Sequence, residues 1–348
     1  MARRVELSYR SRLARHFHIG WMSEIPDTPS WPAVDPERVR ILPRSAFNEK
    51  IIALHRGRFY PSKLVTGESP ARMFRALEVS THSFEADFNA PLAYFDVTMR
   101  HEEAATIAPG IGNMDALLRF AGMESPPPRG ETDFADPDGF DRPNPGEDRE
   151  FYSRPRRVAH VDAVCGARIA ALYASLIDPG SRVLDLMSGW RSQLPEQRGN
   201  VCGLGLNEEE LADNPALDSY CIHDLNADPA LPFEDRAFDA VVNTVSIEYL
   251  VNPVSVLREV RRTLRPGGVA VISFSNRYFP PKAIYLWTRM LPMERLGLVL
   301  QWMVAAGFVE LTTLSERGLE RDPRDRYTEH LREMDPLFAV WGRAPGAR

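Results

Sequence analysis

Residues 183–276 decide the fold: VLDLMSGWRSQLPEQ (183–197), VCGLGLN (201–207), HDLNADPALPFEDRAFDAVVNTVSIEYL (223–250) and NPVSVLREVRRTLRPGGVAVISFSN (252–276). Short apolar runs rich in β-branched residues alternate with helical patterns, and polar turns fall at the carboxyl ends of the runs. That alternation predicts a parallel sheet built from βαβ units. A ligand crevice is then expected along the strand ends.

Outward from this stretch, strands are expected at 183–186, 201–206, 220–223, 238–243 and 269–275, with two more β-like runs at 308–314 and 337–343. These make a seven-stranded, mostly parallel, doubly wound α/β sheet with helices on both faces. Before the first strand, Val161, Val164, Ile169, Leu172 and Leu176 recur at helical spacing, which predicts a helix over 157–177 ended by Asp178-Pro179-Gly180. Asn252-Pro253 is a helix start, with Val254, Leu257, Val260 and Leu264 on one face and Pro266-Gly267-Gly268 as the stop. Further helices are expected over 281–291 and 293–306, the second closed by Gly307 in a left-handed conformation.

The stretch ESPPPRGETDFADPDGFDRPNPGEDRE (124–150) is rich in Pro, Gly and acids and poor in apolar side chains, so it reads as a linker or long surface loop. The expected organisation is an amino-terminal region, 1–125, a linker, 126–150, and the α/β domain, 151–348. The amino-terminal region carries aromatic-rich pieces and a helix-like run at 114–123, but no repeat and no motif with a mechanism. Its role is expected from position alone, as a lid over the substrate or a homodimer surface.

With 348 residues, 44% hydrophobic and 26% charged, the chain has the composition of an ordinary globular protein. No apolar run approaches the ~20 residues of a membrane span, so no membrane partner is expected. A net charge of -6 argues against nucleic acid as the main partner, because phosphate contacts need a concentrated basic surface. Cys165, Cys202 and Cys221 are widely spaced within apolar patterns, which suits buried thiols in a reducing, cytoplasmic setting and no metal site. His16, His18, His82 and His101 lack metal-ligand spacing.

In order and spacing, VLDLMSGW, VCGLGLN, LPFEDRAFD and LRPGGVAVISFSN resemble the motifs of the class I S-adenosylmethionine-dependent methyltransferases, of the large type 11-like subgroup. FYSRPRRVAHVD (151–162), DLMSGWRSQLP and FSNRYFPPKA look like a divergent branch of it, with DLMSGW in place of the glycine-rich motif. The resemblance covers roughly 151–343 and implies a Rossmann-like fold with S-adenosylmethionine as cofactor. A glycine-rich turn lets backbone N–H groups approach the cofactor. Here Met187 and Arg191 stand where two family glycines would be, and only Gly189 remains.

The resemblance implies cofactor-binding roles for Asp185, near the methionine amino group, Asp224, on the adenine amino group, and Leu225, on the adenine ring. An Asx-turn or helix-cap role is the structural alternative for Asp224. The family's ribose acid falls at Gly205, which has no side chain, so Asn207 or Glu208 is the expected substitute. Trp190 either stacks on the cofactor or packs under the chain's amino-terminal segment.

Methyl transfer is an in-line displacement at a sulfonium methyl carbon, so alignment of a nucleophile, and removal of its proton where it has one, are the protein's tasks. Strands four and five are expected to face the acceptor. Asn243 and Asn276 would orient polar groups; Glu248 or Tyr249 would act as base or hydrogen-bond acceptor. The alternative makes Tyr249 a core residue and Glu248 a solvated one. Arg277 and Lys282 point to an anionic group on the acceptor, against the reading that they are a solvated helix start.

The expected function is methyl transfer to a small-molecule acceptor. Two others stand beside it: diversion of the sulfonium to intramolecular alkylation or aminocarboxypropyl transfer, and a non-catalytic binding module that keeps the fold.

Overall fold

The computed structural model describes residues 3–8, 17–22, 34–68, 73–89, 98–103, 131–196 and 199–346, the first, second and fifth of these as backbone only. The strands are β1 (Arg3–Ser8), β2 (Phe17–Met22), β3 (Val39–Pro43), β4 (Phe59–Pro61), β5 (Met73–Val79), β6 (Ser83–Asp87), β7 (Thr98–Glu103), β8 (Val183–Leu186), β9 (Val201–Gly205), β10 (Ser219–Ile222), β11 (Phe238–Thr244), β12 (Leu264–Phe274), β13 (Val309–Glu316) and β14 (Leu337–Arg343). The helices are α1 (Asp148–Phe151), α2 (Ala163–Leu176), α3 (Glu208–Ala212), α4 (Pro253–Thr263), α5 (Tyr285–Thr288) and α6 (Pro292–Ala306). The helix expected at 114–123 lies outside the described residues.

The main sheet has the order β10-β9-β8-β11-β12-β14-β13-β2-β1-β7. Its first seven strands are the expected seven. β10, β9, β8, β11 and β12 run parallel, and β14 is antiparallel to both β12 and β13. β2, β1 and β7 then extend the sheet past β13, so three strands of the amino-terminal region complete it.

Strand alternation sends successive side chains to opposite faces. Val183, Ala240, Val242, Val269 and Val271 join Ile169 and Tyr173 of α2 in one core layer. Their neighbours Leu184, Leu186, Val241, Ala270 and Ile272 join Val256, Leu257 and Val260 of α4 and Leu300 and Met303 of α6 in the other. This is the doubly wound arrangement that the sequence pattern predicts.

The Asn252 side chain accepts from Ser255 N as expected, and Gly307 closes α6 at φ 87°. Two helices are shorter than their periodicity suggests. α2 begins only at Ala163, because the Asp162 carboxylate caps it by accepting from Val164 N and Cys165 N, with Asp162 itself in an extended conformation. Over 281–291 only the single turn α5 forms: residues 139–141 take its first amides, with Tyr285 N donating to Asp141 O and Leu286 N to Gly139 O.

The acid-rich stretch read as a linker is, from residue 131 on, held against the α/β domain. Arg289 bonds Asp136 and Asp138, Asp148 bonds Arg142 and Lys282, and Phe134 enters the core layer under α6. Pairing with Arg289 and Lys282 from a distant segment replaces the apolar burial that the stretch lacks.

A second, antiparallel sheet, β3-β6-β5-β4, has its own aromatic core of Phe47, Tyr60, Phe74 and Phe84. It docks through Phe59, whose N–H donates to Glu294 Oε1 at 2.9 Å, and Arg58, which lies 3.5 Å from the same oxygen. The arginine and the glutamate are both almost fully buried, so each charge needs the other to stay there.

Candidate functional site

A cavity of about 660 Å³ opens at the carboxyl ends of β8, β9, β10 and β11. Its size is that of small-molecule sites. Of the expected site residues, Asp185, Met187, Gly189, Trp190, Asn207, Asp224, Leu225 and Tyr249 line it.

The turn after β8 is pinned from several sides. Asp185 Oδ2 accepts from Ser188 Oγ at 2.6 Å and Ser192 Oγ at 2.5 Å. Burial pushes the Asp185 carboxyl up, and these two bonds work the other way. Asn214 Nδ2 donates to Gly189 O and Ser192 Oγ, and Ser188 N to Leu204 O. Met187 sits at φ 59°, in the left-handed region that disfavours a side chain, so these bonds hold a strained turn.

Gly205 is explained by the same turn. A Cβ there would lie 2.3 Å from Ser188 O, closer than any real contact, so the end of β9 admits no side chain. Asn207 serves as the cap of α3: its Oδ1 accepts from Glu210 N, and its Nδ2 donates to Tyr152 O and Ser153 O. Glu208 is exposed and outside the cavity wall.

Asp224 takes the Asx-turn role with one oxygen and leaves the other unpaired among the described residues. Oδ1 closes the turn, accepting from Asn226 N and Ala227 N, while Oδ2 makes no hydrogen bond among the described residues. Trp190 also lines the cavity, and its Nε1 donates to Val158 O at 3.1 Å, which ties it to the segment ahead of α2.

On the opposite side of the cavity, four expectations need correction. Asn243 is completely buried in β11, donating from Nδ2 to Leu186 O, and braces β8 from within the sheet. Glu248 is neither solvated nor in the cavity wall; burial pushes its carboxyl up to about 8, and Oε2 has no partner among the described residues. Asn276 is exposed beyond the rim. Lys282 is fully buried, its Nζ 2.8 Å from Asp148 Oδ1 and donating to Gly146 O, so its charge is neutralised internally and is not offered to an acceptor.

Tyr249 does line the cavity, but its hydroxyl accepts from Phe279 N at 2.8 Å, and burial holds its pKa well above the ordinary value. It fixes the Phe279 ring, on which it stacks, and does not fit the role of a base at neutral pH. Arg277 lies 3.4 Å from Asp335 and over the Tyr327 ring.

Sequence reading assigned no site residue within 148–162, yet this segment supplies Asp148, Tyr152, Arg156, His160 and Asp162 to the cavity. Burial works against the Asp148 charge, but bonds from Asn226, Lys282 and Arg142 outweigh it and hold its carboxyl below the ordinary value. His160 faces the cavity and packs edge-on against Phe279; the surrounding protein, with Arg277, pushes its imidazole below the ordinary value. Only the serines at 188 and 192 carried a local signal, by their spacing from Asp185. Nothing near 160 announced that a histidine there would meet residue 279.

Among the described residues, no group of three or more His, Cys, Asp or Glu is arranged to hold a metal ion, and no helix is long and apolar enough to cross a membrane.

Residues 187–272 match the model of a methyltransferase domain family. A malonyl-[acyl-carrier protein] O-methyltransferase of Erwinia pyrifoliae is 31% identical over 165 residues, covering 44% of this chain and 60% of that protein. A demethylmenaquinone methyltransferase of Corynebacterium urealyticum is 32% identical over 108 residues, covering 29% of this chain and 45% of that protein. The chain thus spans about half of each of these relatives. Among solved structures, an S-adenosylmethionine dependent methyltransferase from Mesorhizobium loti is 22% identical, covering 51% of this chain and 98% of that one at a TM-score of 0.34. The motif and strand order over 151–343 and the family match over 187–272 agree: this α/β domain belongs to the class I S-adenosylmethionine-dependent methyltransferase superfamily.

Proposed function

We propose that the chain is an S-adenosylmethionine-dependent methyltransferase acting on a small-molecule acceptor. The observation that carries the reading is the cavity bounded by the Asp185–Gly189 turn on one side and Asp224 on the other. It fits the cofactor: the turn carries no side chain at Gly189, where a Cβ would crowd Glu210 Oε2 at 3.1 Å, and Asp224 Oδ2 is an acceptor without a donor among the described residues. Leu225 gives the adenine an apolar wall, and Asp185, oriented by its serines, presents a carboxyl where a charged amino group needs one. When bound, the cofactor supplies an electrophilic sulfonium methyl.

The chain's own residues then align an acceptor and exclude water. Tyr152, Tyr249 and Phe279 form aromatic walls on the acceptor side. For an acceptor whose nucleophile carries a proton, His160 takes it: the side chain lines the cavity, and its surroundings disfavour the charged imidazole. Among the described residues none from 34–89 lines the cavity, so the small sheet is read as a docking or dimer surface rather than a lid. With residues 131–150 packed on the domain, we place its start near residue 131.

Calorimetric titration with S-adenosylhomocysteine, followed by mass spectrometry of a reaction with S-adenosylmethionine, tests the proposal. One-site binding, with S-adenosylhomocysteine and a methylated acceptor as products, supports it; thioadenosine as product would move the assignment to sulfonium diversion, and absence of binding would remove it. In the pH profile, kcat/KM rises with pH as His160 loses its proton, below the ordinary histidine range, and is level above it. A rising limb that persists in His160→Gln would remove the histidine from the mechanism.

A further inference from the structure

We propose that Glu210 holds the ribose hydroxyls of the adenosyl cofactor, a task that the end of β9 cannot perform in this chain. The inference rests on the cofactor reading above and narrows it to one side chain. Gly205 is closed to any substituent by Ser188 O at 2.3 Å and by the Leu211 side chain at 3.2 Å, so an acid at the strand end would displace the pinned turn. Asn207 is committed to capping α3 and to the carbonyls of Tyr152 and Ser153. Glu208 points outside the cavity wall. Glu210 alone of the three acids opening α3 lines it.

Its carboxylate is divided between two tasks. Oε1 accepts from Arg156 N at 2.5 Å. Oε2 makes no hydrogen bond among the described residues and reaches to 3.1 Å from where a Gly189 Cβ would stand, so the missing side chain at 189 is what leaves that oxygen accessible. An ionised carboxylate is acceptor-only, and a vicinal diol offers two O–H donors; the pairing gives charge-assisted bonds. Because Oε1 holds the Arg156 amide, the same side chain ties the cofactor seat to the segment that carries Tyr152 and His160.

The test is a calorimetric cycle with S-adenosylhomocysteine and its 2′,3′-dideoxy analogue on the native chain and on Glu210→Gln, which keeps an oxygen for the Arg156 amide. The native chain should prefer the diol by roughly 10- to 100-fold, and Glu210→Gln should bind both compounds at about the weaker affinity. As a check that leaves Glu210 in place, Gly189→Ala sets a methyl against Oε2 and should weaken S-adenosylhomocysteine more than the analogue. Native-like preference for the diol in Glu210→Gln would overturn the assignment while the cofactor reading stands. A native chain that binds neither compound would overturn both.

Discussion

The two walls of the cavity are built on different principles. The wall beside β8 and β9 is a tight turn whose contacts are mostly local: Asp185 with Ser188 and Ser192, Gly205 against Ser188. The wall toward β11 and β12 is aromatic and ionic, and its contacts join distant segments: Asp148 with Lys282 and Asn226, Tyr249 with Phe279, His160 with Phe279. The first wall suits a cofactor of constant shape. In the second, the charges are spent on holding segments together, which leaves rings and the His160 imidazole facing the cavity.

The largest effect should come from the ionic wall. Asp148→Ala strands Lys282 and Arg142, both nearly buried, and breaking such a buried network costs about 3–5 kcal/mol. Denaturant melts at pH 7 would measure it. A loss under about 1 kcal/mol would mean that the acid-rich segment is not anchored as described.

Glu248 sharpens the contrast, being a buried acid without such partners. Its carboxyl, held near 8 by burial against an ordinary 4.5, keeps its proton in the folded chain at pH values where the unfolded chain has lost it. Stability therefore falls as pH rises from about 4.5 to about 8 and changes little above that on this group's account. Glu248→Gln should remove that slope and stabilise the chain at pH 8 by roughly 2–4 kcal/mol. Melts of both forms across this range would show parallel curves if the carboxyl were ionised in the fold.

The turn wall gives the smallest of these effects. Gly205→Ala forces a methyl onto Ser188 O and should cost about 1–3 kcal/mol, with a matching loss of S-adenosylhomocysteine affinity. Unchanged melting and binding would show that the turn yields easily and is not the rigid half of the site.

The same division explains what could be read from the sequence. Seven strands, α4 with its Asn252 cap, and the Gly307 terminus followed from periodicity and local turn chemistry, and Asp185, Gly189 and Asp224, which the family resemblance singled out, line the cavity. Asn243, Glu248, Asn276 and Lys282 were misplaced by the same reasoning, because position after a strand does not say whether a side chain turns inward to the core, outward, or to the cavity. Lys282 turns inward because Asp148, 134 residues earlier, waits for it. Gly205 looked like a lost acid; its neighbour Ser188 shows that the turn occupies the space an acid would need.

A crystal structure of the chain with S-adenosylhomocysteine tests the central claim most directly. The account predicts adenine beside Asp224 and Leu225, and ribose between the Gly189 turn and Glu210. The homocysteine end should lie by Asp185. Ligand bound elsewhere, or a cavity filled by the chain's own side chains, would contradict it.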